Sequence, residues 1–228
     1  MTAEDHKRAA GQAAAALVQD GTTVGLGTGS TAAFFVEALA ARKLTLKCVA
    51  TSEATAALAT RLGLVVIDLD DAGLIDLTVD GADEIGPGLA LIKGAGAALL
   101  REKLVWEASA RCIAIADASK LDHTFGTAYP LPIEVVAFGH ASTARRLAEV
   151  LKRQGVPAPP VLRVKGGQTV LTDSGNVIYD VACGAIADPA ALGAALKAIT
   201  GVVEHGLFLG LAQMALIGTD DGVLTLHP

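Results

Sequence analysis

Hydrophobic and polar positions alternate along this chain with two different periods. Short apolar or alternating runs occur at "TTVGLG" (22–27), "LKCVA" (46–50), "LVVID" (64–68), "IDLTVD" (75–80), "ALIK" (90–93) and "RCIAIAD" (111–117). Such runs have the length and pattern of strands. Between them, residues 4–19, 30–43, 53–62 and 96–109 carry apolar positions at helical spacing. Strands alternating with helices of this length predict an α/β fold with a mainly parallel, Rossmann-like sheet covered on both faces.

The rhythm changes after "AYPLPIEVV" (128–136). A helical stretch at 141–154 is followed by the short strands "VLRVK", "TVLTD" and "NVIYDV", a helix at 189–198 and "GVVEHG". That order predicts a second, smaller α+β domain of ferredoxin-like type with an antiparallel sheet. The tail "MALIGTDDGVLTL" (214–226) reads as a strand pair turning at Asp-Gly and returning to the first domain. The expected division is therefore 1–129 plus 206–228 for the α/β domain and 130–205 for the small one.

Composition narrows the partners. The 228 residues can bury a proper core, and 52% are hydrophobic, many of them alanine. No apolar run reaches the ~18 residues of a membrane span, so no membrane partner is expected. A net charge of −6 without a basic block, and only 4% aromatic residues, argue against nucleic acid. The N-terminal stretch has acids first and lacks the pattern of a signal peptide. Cys48, Cys112 and Cys183 lie far apart in apolar settings and read as buried thiols of a cytoplasmic protein. His6, His123, His140, His205 and His227 are scattered without metal-ligand spacing, so neither a metal nor another cofactor is expected. There is no Gly-x-Ser-x-Gly elbow and no Cys-His arrangement.

Chemistry gathers at strand ends. "GLGTGST" (25–31) follows a strand and opens a helix, where amides, the helix dipole and the hydroxyls of Thr28, Ser30 and Thr31 beside Gly29 suit an anion. Ser30 stands where a dinucleotide fingerprint needs glycine, and no Gly-Lys-Ser/Thr is present. The loop reads either as a cradle for a small phosphate or as a capping turn. Asp80 ends a strand, Gly81 and Ala82 turn, and Asp83 follows; these acids orient sugar hydroxyls or cap a solvated turn. Lys93 directly precedes Gly94-Ala95-Gly96 and a helix, which would raise the positive potential where an oxyanion forms. Glu102 falls about two turns into that helix, with Ala98, Leu99, Val105 and Trp106 as neighbours, a spacing that would desolvate one side of it. Taken alone it reads as a surface or ion-paired glutamate, because Arg101 also has four apolar neighbours. Lys120 follows another strand, with His123 nearby. Lys7 and Lys165 read as solvated; Phe34, Phe35 and Trp106 read as core.

The blocks "GLGTGST" (25–31), "DGADEI" (80–85), "KGAGAALLREK" (93–103), "DASK" (117–120), "PLPIEV" (130–135), "LTDSGNVIYD" (171–180) and "GVVEHGLF" (201–208) together resemble the type A ribose-5-phosphate isomerases, across essentially the whole chain. The resemblance implies a cofactor-free aldose-ketose isomerase acting on a sugar phosphate, with 1–129 plus 206–228 as the catalytic domain. It implies that Glu102 accepts the proton, and that the 28–31 loop, the 80–83 turn, the 93–96 loop and Lys120 contact substrate. On that basis Lys93 would stabilise an oxyanion while Asp80 and Asp83 position hydroxyls and assist ring opening. The family commonly reads Lys-Gly-Gly-Gly where this chain has Lys-Gly-Ala-Gly, so a left-handed backbone is not expected at Ala95. The competing readings are a sugar-phosphate sensor module, an amino-sugar phosphate deaminase and a sugar-lactone hydrolase. A homodimer or homotetramer is expected.

Overall fold

The structure is a computed structural model and describes residues 1–121, 124–156 and 158–228. Its helices are α1 (Ala3–Ala16), α2 (Ser30–Ala41), α3 (Glu53–Arg61), α4 (Leu99–Glu107), α5 (His140–Arg153) and α6 (Pro189–Lys197). Its strands up to residue 117 are β1 (Thr23–Leu26), β2 (Lys47–Ala50), β3 (Val65–Val66), β4 (Leu77–Gly81), β5 (Glu84–Ile85), β6 (Leu91–Ile92) and β7 (Cys112–Asp117). Then follow β8 (Leu131–Val135), β9 (Val161–Leu162), β10 (Val164–Lys165), β11 (Gln168–Thr169), β12 (Val177–Val181), β13 (Val202–His205), β14 (Leu207–Phe208), β15 (Met214–Thr219) and β16 (Gly222–Leu226).

Two compact units form. The first comprises Met1–Ala82, Arg101–Leu121 and Gly210–Pro228. It holds a seven-stranded sheet of order β16-β15-β7-β4-β1-β2-β3, parallel except for the β15–β16 hairpin. The expected terminal strand pair is thus present, but its turn is Asp220–Asp221, and Gly222, at φ 118°, already pairs with Thr219 as the first residue of β16. Alternation along β1 sends Val24 and Leu26 into the core formed with Phe35, Val36 and Leu39 of α2 and Ala10 and Ala14 of α1. Gly25, between them, faces the other way, where a Cβ would come within 2.9 Å of Val105 on α4. Both faces of the parallel sheet are therefore covered, as the buried runs required. Helices α1 and α2 approach closely at Gly11, whose added Cβ would lie 2.7 Å from the Phe35 amide nitrogen. Trp106 and Phe35 are fully buried, each contributing about 1.5–3 kcal/mol by removal from water. Phe34 differs from expectation: it is half-buried and carries the Arg8 guanidinium 4.3 Å above its ring.

The second unit comprises Asp83–Leu100 and Asp122–Leu209. Its antiparallel sheet has the order β13-β8-β12-β9. Leu131, Ile133 and Val135 of β8 and Val177, Tyr179 and Val181 of β12 pack with Leu147 and Leu151 of α5 and Leu192 and Leu196 of α6. A separate three-stranded sheet, β14-β6-β5, is antiparallel. The run "ALIK" therefore does not extend the parallel sheet: β6 pairs on one side with β5 and on the other with Leu207–Phe208. This pairing places residues 83–100 with the second unit, whereas the expected boundaries at 129 and 206 put them with the first.

All three cysteines are buried, and burial pushes their thiols up, Cys48 and Cys183 to about 11 and Cys112 to about 12. Among the described residues no helix is long and apolar enough to cross a membrane.

Candidate active site

In the first unit the parallel strand order reverses between β1 and β4, the place where open α/β sheets bind ligands beyond their carboxyl ends. Two expected residues meet there. The Thr28 amide donates to Asp80 Oδ1 at 3.0 Å, and the Gly81 amide donates to the same oxygen at 2.7 Å. Asp80 is 0% exposed. Gly27 allows this approach, since a Cβ on it would overlap the Asp80 carboxylate and lie 2.5 Å from its Cα.

The hydroxyls of the 28–31 loop divide into two sets. Thr28 turns its Oγ1 inward, 2.7 Å from Thr51 Oγ1, 2.8 Å from Ser52 Oγ and 3.2 Å from Thr55 Oγ1. Thr55 in turn donates to the Gly27 carbonyl at 3.0 Å. This hydroxyl cluster fixes the loop from beneath, so Thr28 does not present its hydroxyl at the helix start as the sequence reading had it. Ser30 faces the other way and accepts a hydrogen bond from Lys7 Nζ at 3.1 Å. Lys7, read from sequence as solvated, thus adds a cation at the α2 N-terminus. Gly29 caps that helix at φ 110°, without a side-chain hydrogen bond. The first-turn amides of α2 have no partners within the helix and make a ready site for an anion.

Glu102 is 3% exposed. Helix α4 begins at Leu99, so Glu102 lies in its first turn and not two turns in. The reason is local: Gly94 at φ 113° and Ala97 at φ 60° hold residues 94–97 out of the helix. Leu104 is exposed while Glu102 and Lys103 are buried, an inversion of the usual helix pattern. Elements that break local rules in this way are frequently functional. Lys120 closes a short 3₁₀ turn after β7, whose N-cap Asp117 accepts from the Ser119 amide at 3.0 Å. Lys120 is half-buried; His123 lies outside the described residues.

In the second unit Lys93 follows β6 and is 2% exposed, with its ammonium 5.4 Å from the centre of the Phe208 ring. Its amide donates to the Gly206 carbonyl at 2.9 Å. Asp83 is half-buried; its Oδ2 accepts the Ala95 amide at 2.8 Å, and its own amide donates to the Ile92 carbonyl at 2.9 Å. Gly94 is buried, Ala95 and Gly96 are exposed, and Ala95 has no positive φ. Left-handed backbone falls instead at Gly94 and Ala97. Sequence reasoning missed Arg163, which donates through one terminal nitrogen to the carbonyls of Gly94 at 2.8 Å and Ala95 at 3.2 Å. Among the described residues no cluster of three or more His, Cys, Asp or Glu is placed to hold a metal ion.

Fold and side chains together define the class, an α/β enzyme whose candidate groups are buried carboxylates and lysines at strand and helix ends. The family model for ribose 5-phosphate isomerase A (phosphoriboisomerase A) matches residues 47–222. The ribose-5-phosphate isomerase A of Caulobacter sp. (strain K31) is 64% identical over 228 residues, covering 100% of both chains. The solved ribose 5-phosphate isomerase from Plasmodium falciparum is 36% identical with a TM-score of 0.93, covering 99% of each chain. A solved D-ribose-5-phosphate isomerase in complex with phospho-erythronic acid is 34% identical with a TM-score of 0.93, covering 100% of each chain. The chain belongs to the ribose-5-phosphate isomerase A family.

Proposed function

We propose that this isomerase interconverts D-ribose 5-phosphate and D-ribulose 5-phosphate with Glu102 as the proton carrier. In the open-chain aldose, the Glu102 carboxylate takes the proton from carbon 2. The electron pair forms the carbon 1–carbon 2 double bond, and the carbonyl oxygen on carbon 1 takes up negative charge. The proton on the oxygen of carbon 2 passes to the oxygen of carbon 1, Glu102 returns the proton it carries to carbon 1, and the carbon 2 oxygen becomes the carbonyl of the ketose. The carrying observation is the burial of Glu102 in the first turn of α4, because a base removed from water is poised for proton transfer. Proton transfer by a positioned carboxylate contributes about 10²–10⁴-fold.

Lys93 supplies the cation that meets the developing oxyanion, pairing a glutamate base with an electrophile as in triosephosphate isomerase. Asp80 and Asp83 hold sugar hydroxyls and assist opening of the cyclic aldose. The first-turn amides of α2, Ser30, Thr31 and Lys7 take the anionic end, while Gly29, Gly81, Ala82 and the 94–96 backbone, with Lys120, complete the contacts. No step is assigned to a metal. Activity surviving prolonged EDTA treatment is the expected result; a loss restored by a divalent ion would overturn that assignment.

The test of the base is Glu102→Gln. Turnover should fall at least about a hundredfold, while phospho-erythronic acid, whose carboxylate mimics the enediolate oxygens, should bind nearly as tightly as to wild type. Near-wild-type turnover would rule the assignment out.

The buried thiols support a reducing, cytoplasmic setting. Exposed Phe138, Val161, Val164 and Leu171 support a homodimer or homotetramer, to be read by light scattering. We also propose that 130–205 folds as a unit of its own beside 1–129 plus 206–228, tested by expressing 130–205 alone.

A further inference from the structure

The Gly94–Ala95 peptide is held from both sides by charge. On its carbonyl side, Arg163 donates to the Gly94 oxygen at 2.8 Å. On its amide side, the Ala95 nitrogen donates to Asp83 Oδ2 at 2.8 Å. The carbonyl and amide of one trans peptide point in opposite directions, so a cation at the oxygen and a carboxylate at the hydrogen polarise it in the same sense. Each contact thereby strengthens the other.

Arg163 is itself fixed. Its Nε donates to Asp180 Oδ2 at 2.8 Å and a terminal nitrogen donates to Asp180 Oδ1, a bidentate fork. The pair spans neighbouring strands, since β12 carries Asp180 and pairs with β9, which ends one residue before Arg163. Burial alone would pull the guanidinium pKa down, but the hydrogen bond and charge of Asp180 outweigh it and hold the pKa up. The remaining terminal nitrogen serves both loop carbonyls at once. A lysine, with a single ammonium, cannot hold the carboxylate fork and the two carbonyls together.

We propose that Arg163, anchored by Asp180, is a positioning residue for Asp83, acting through the Gly94–Ala95 peptide. The chain of contacts Asp180–Arg163–peptide–Asp83 fixes one Asp83 oxygen and aims the other. The inference rests on the reading of Asp83 as a group that handles substrate hydroxyls. It adds that Asp83 is useful only while the peptide is pinned, and that the pin comes from a strand end about 80 residues further along the chain.

The experiment compares wild type, Arg163→Met, Arg163→Lys, Asp83→Ala and the Asp83→Ala/Arg163→Met double variant by steady-state kinetics on ribose 5-phosphate. Arg163→Met is expected to lower kcat/KM about tenfold to a hundredfold, the range for losing charge-assisted hydrogen bonds, with Arg163→Lys in between. The double variant should be no worse than Asp83→Ala within about twofold, because both changes remove one function. Losses that multiply would overturn the proposal. Hydrogen exchange at the Ala95 amide reads the geometry independently of catalysis: protection should fall at least about tenfold in Arg163→Met, or in Arg163→Lys should the methionine variant not fold. Unchanged protection would also overturn it. Should Asp83→Ala keep wild-type turnover while Ala95 loses protection in the Arg163 variants, the catalytic reading of Asp83 falls and the pin stands.

Discussion

Two glycine-rich loops, each opening a helix, look alike in sequence and are built in opposite ways. The loop before α2 follows a central parallel strand and is tied down by hydroxyls and a carboxylate: Thr51, Ser52 and Thr55 beneath, Asp80 beside. The loop before α4 follows an antiparallel strand and is tied by a guanidinium on its carbonyls, with its Ala95 amide on Asp83. The first spends its Thr28 amide and hydroxyl on its own scaffold, while Ser30 at the first turn of α2 holds Lys7. The second has its carbonyls neutralised and carries Lys93, a buried cation. On the proposed function the same glycines would serve different ends: one loop would take a fixed charge, the other a charge that develops during reaction.

That contrast is sharpest in kinetics. Lys93→Ala is expected to lower kcat by about 10²–10³-fold with a smaller rise in KM, as for removal of an oxyanion donor. A change confined to KM would mean that both loops act in binding alone. Lys7→Ala is expected to do the reverse, raising KM about tenfold with kcat little altered, since its contact is the same in ground and transition states. A kcat effect as large as that of Lys93 would erase the distinction.

Stability separates the loops as well. Gly27→Ala drives a Cβ into Asp80 and should cost about 1–3 kcal/mol in urea unfolding, the range for overpacking. Gly29→Ala has nothing within 4 Å of the added Cβ but must keep φ at 110° with ψ at 178°, a region essentially confined to glycine, so about 1–3 kcal/mol is expected from backbone strain alone. In the second loop strain is already present, at Ala97 with φ 60°. Ala97→Gly should raise stability by less than about 1 kcal/mol, because relief of strain is partly offset by the looser unfolded chain. A loss of stability there would mean that the methyl makes a packing contact worth more than the strain.

The sequence made the first unit legible because strands buried on both faces leave continuous apolar runs, as in "RCIAIAD", all of which is buried from Cys112 onward. Asp80 was legible for a different reason, as the end of the alternating run "IDLTVD" directly before Gly81. The β5–β6–β14 sheet was not, because strands of two residues carry no period and their partner at Leu207–Phe208 is over a hundred residues away. The start of α4 was obscured by alanines at 97 and 98, which favour a helix that the backbone at Ala97 interrupts. Lys7 looked solvated because its reach to Ser30 depends on the close α1–α2 packing at Gly11, a tertiary fact. Arg163 sits in "VLRVK" like any outward strand residue, and nothing local announces that Asp180 or the Gly94 carbonyl lies beside it.

The most direct measurement follows the proton itself. Wild type and Glu102→Gln are incubated with ribose 5-phosphate in deuterated water, and label at carbons 1 and 2 is counted by NMR. Wild-type enzyme should place deuterium on the exchanging carbon of the ketose, and the glutamine variant should place almost none over the same turnover time. Label appearing at equal rates in both would show that some other group takes the proton.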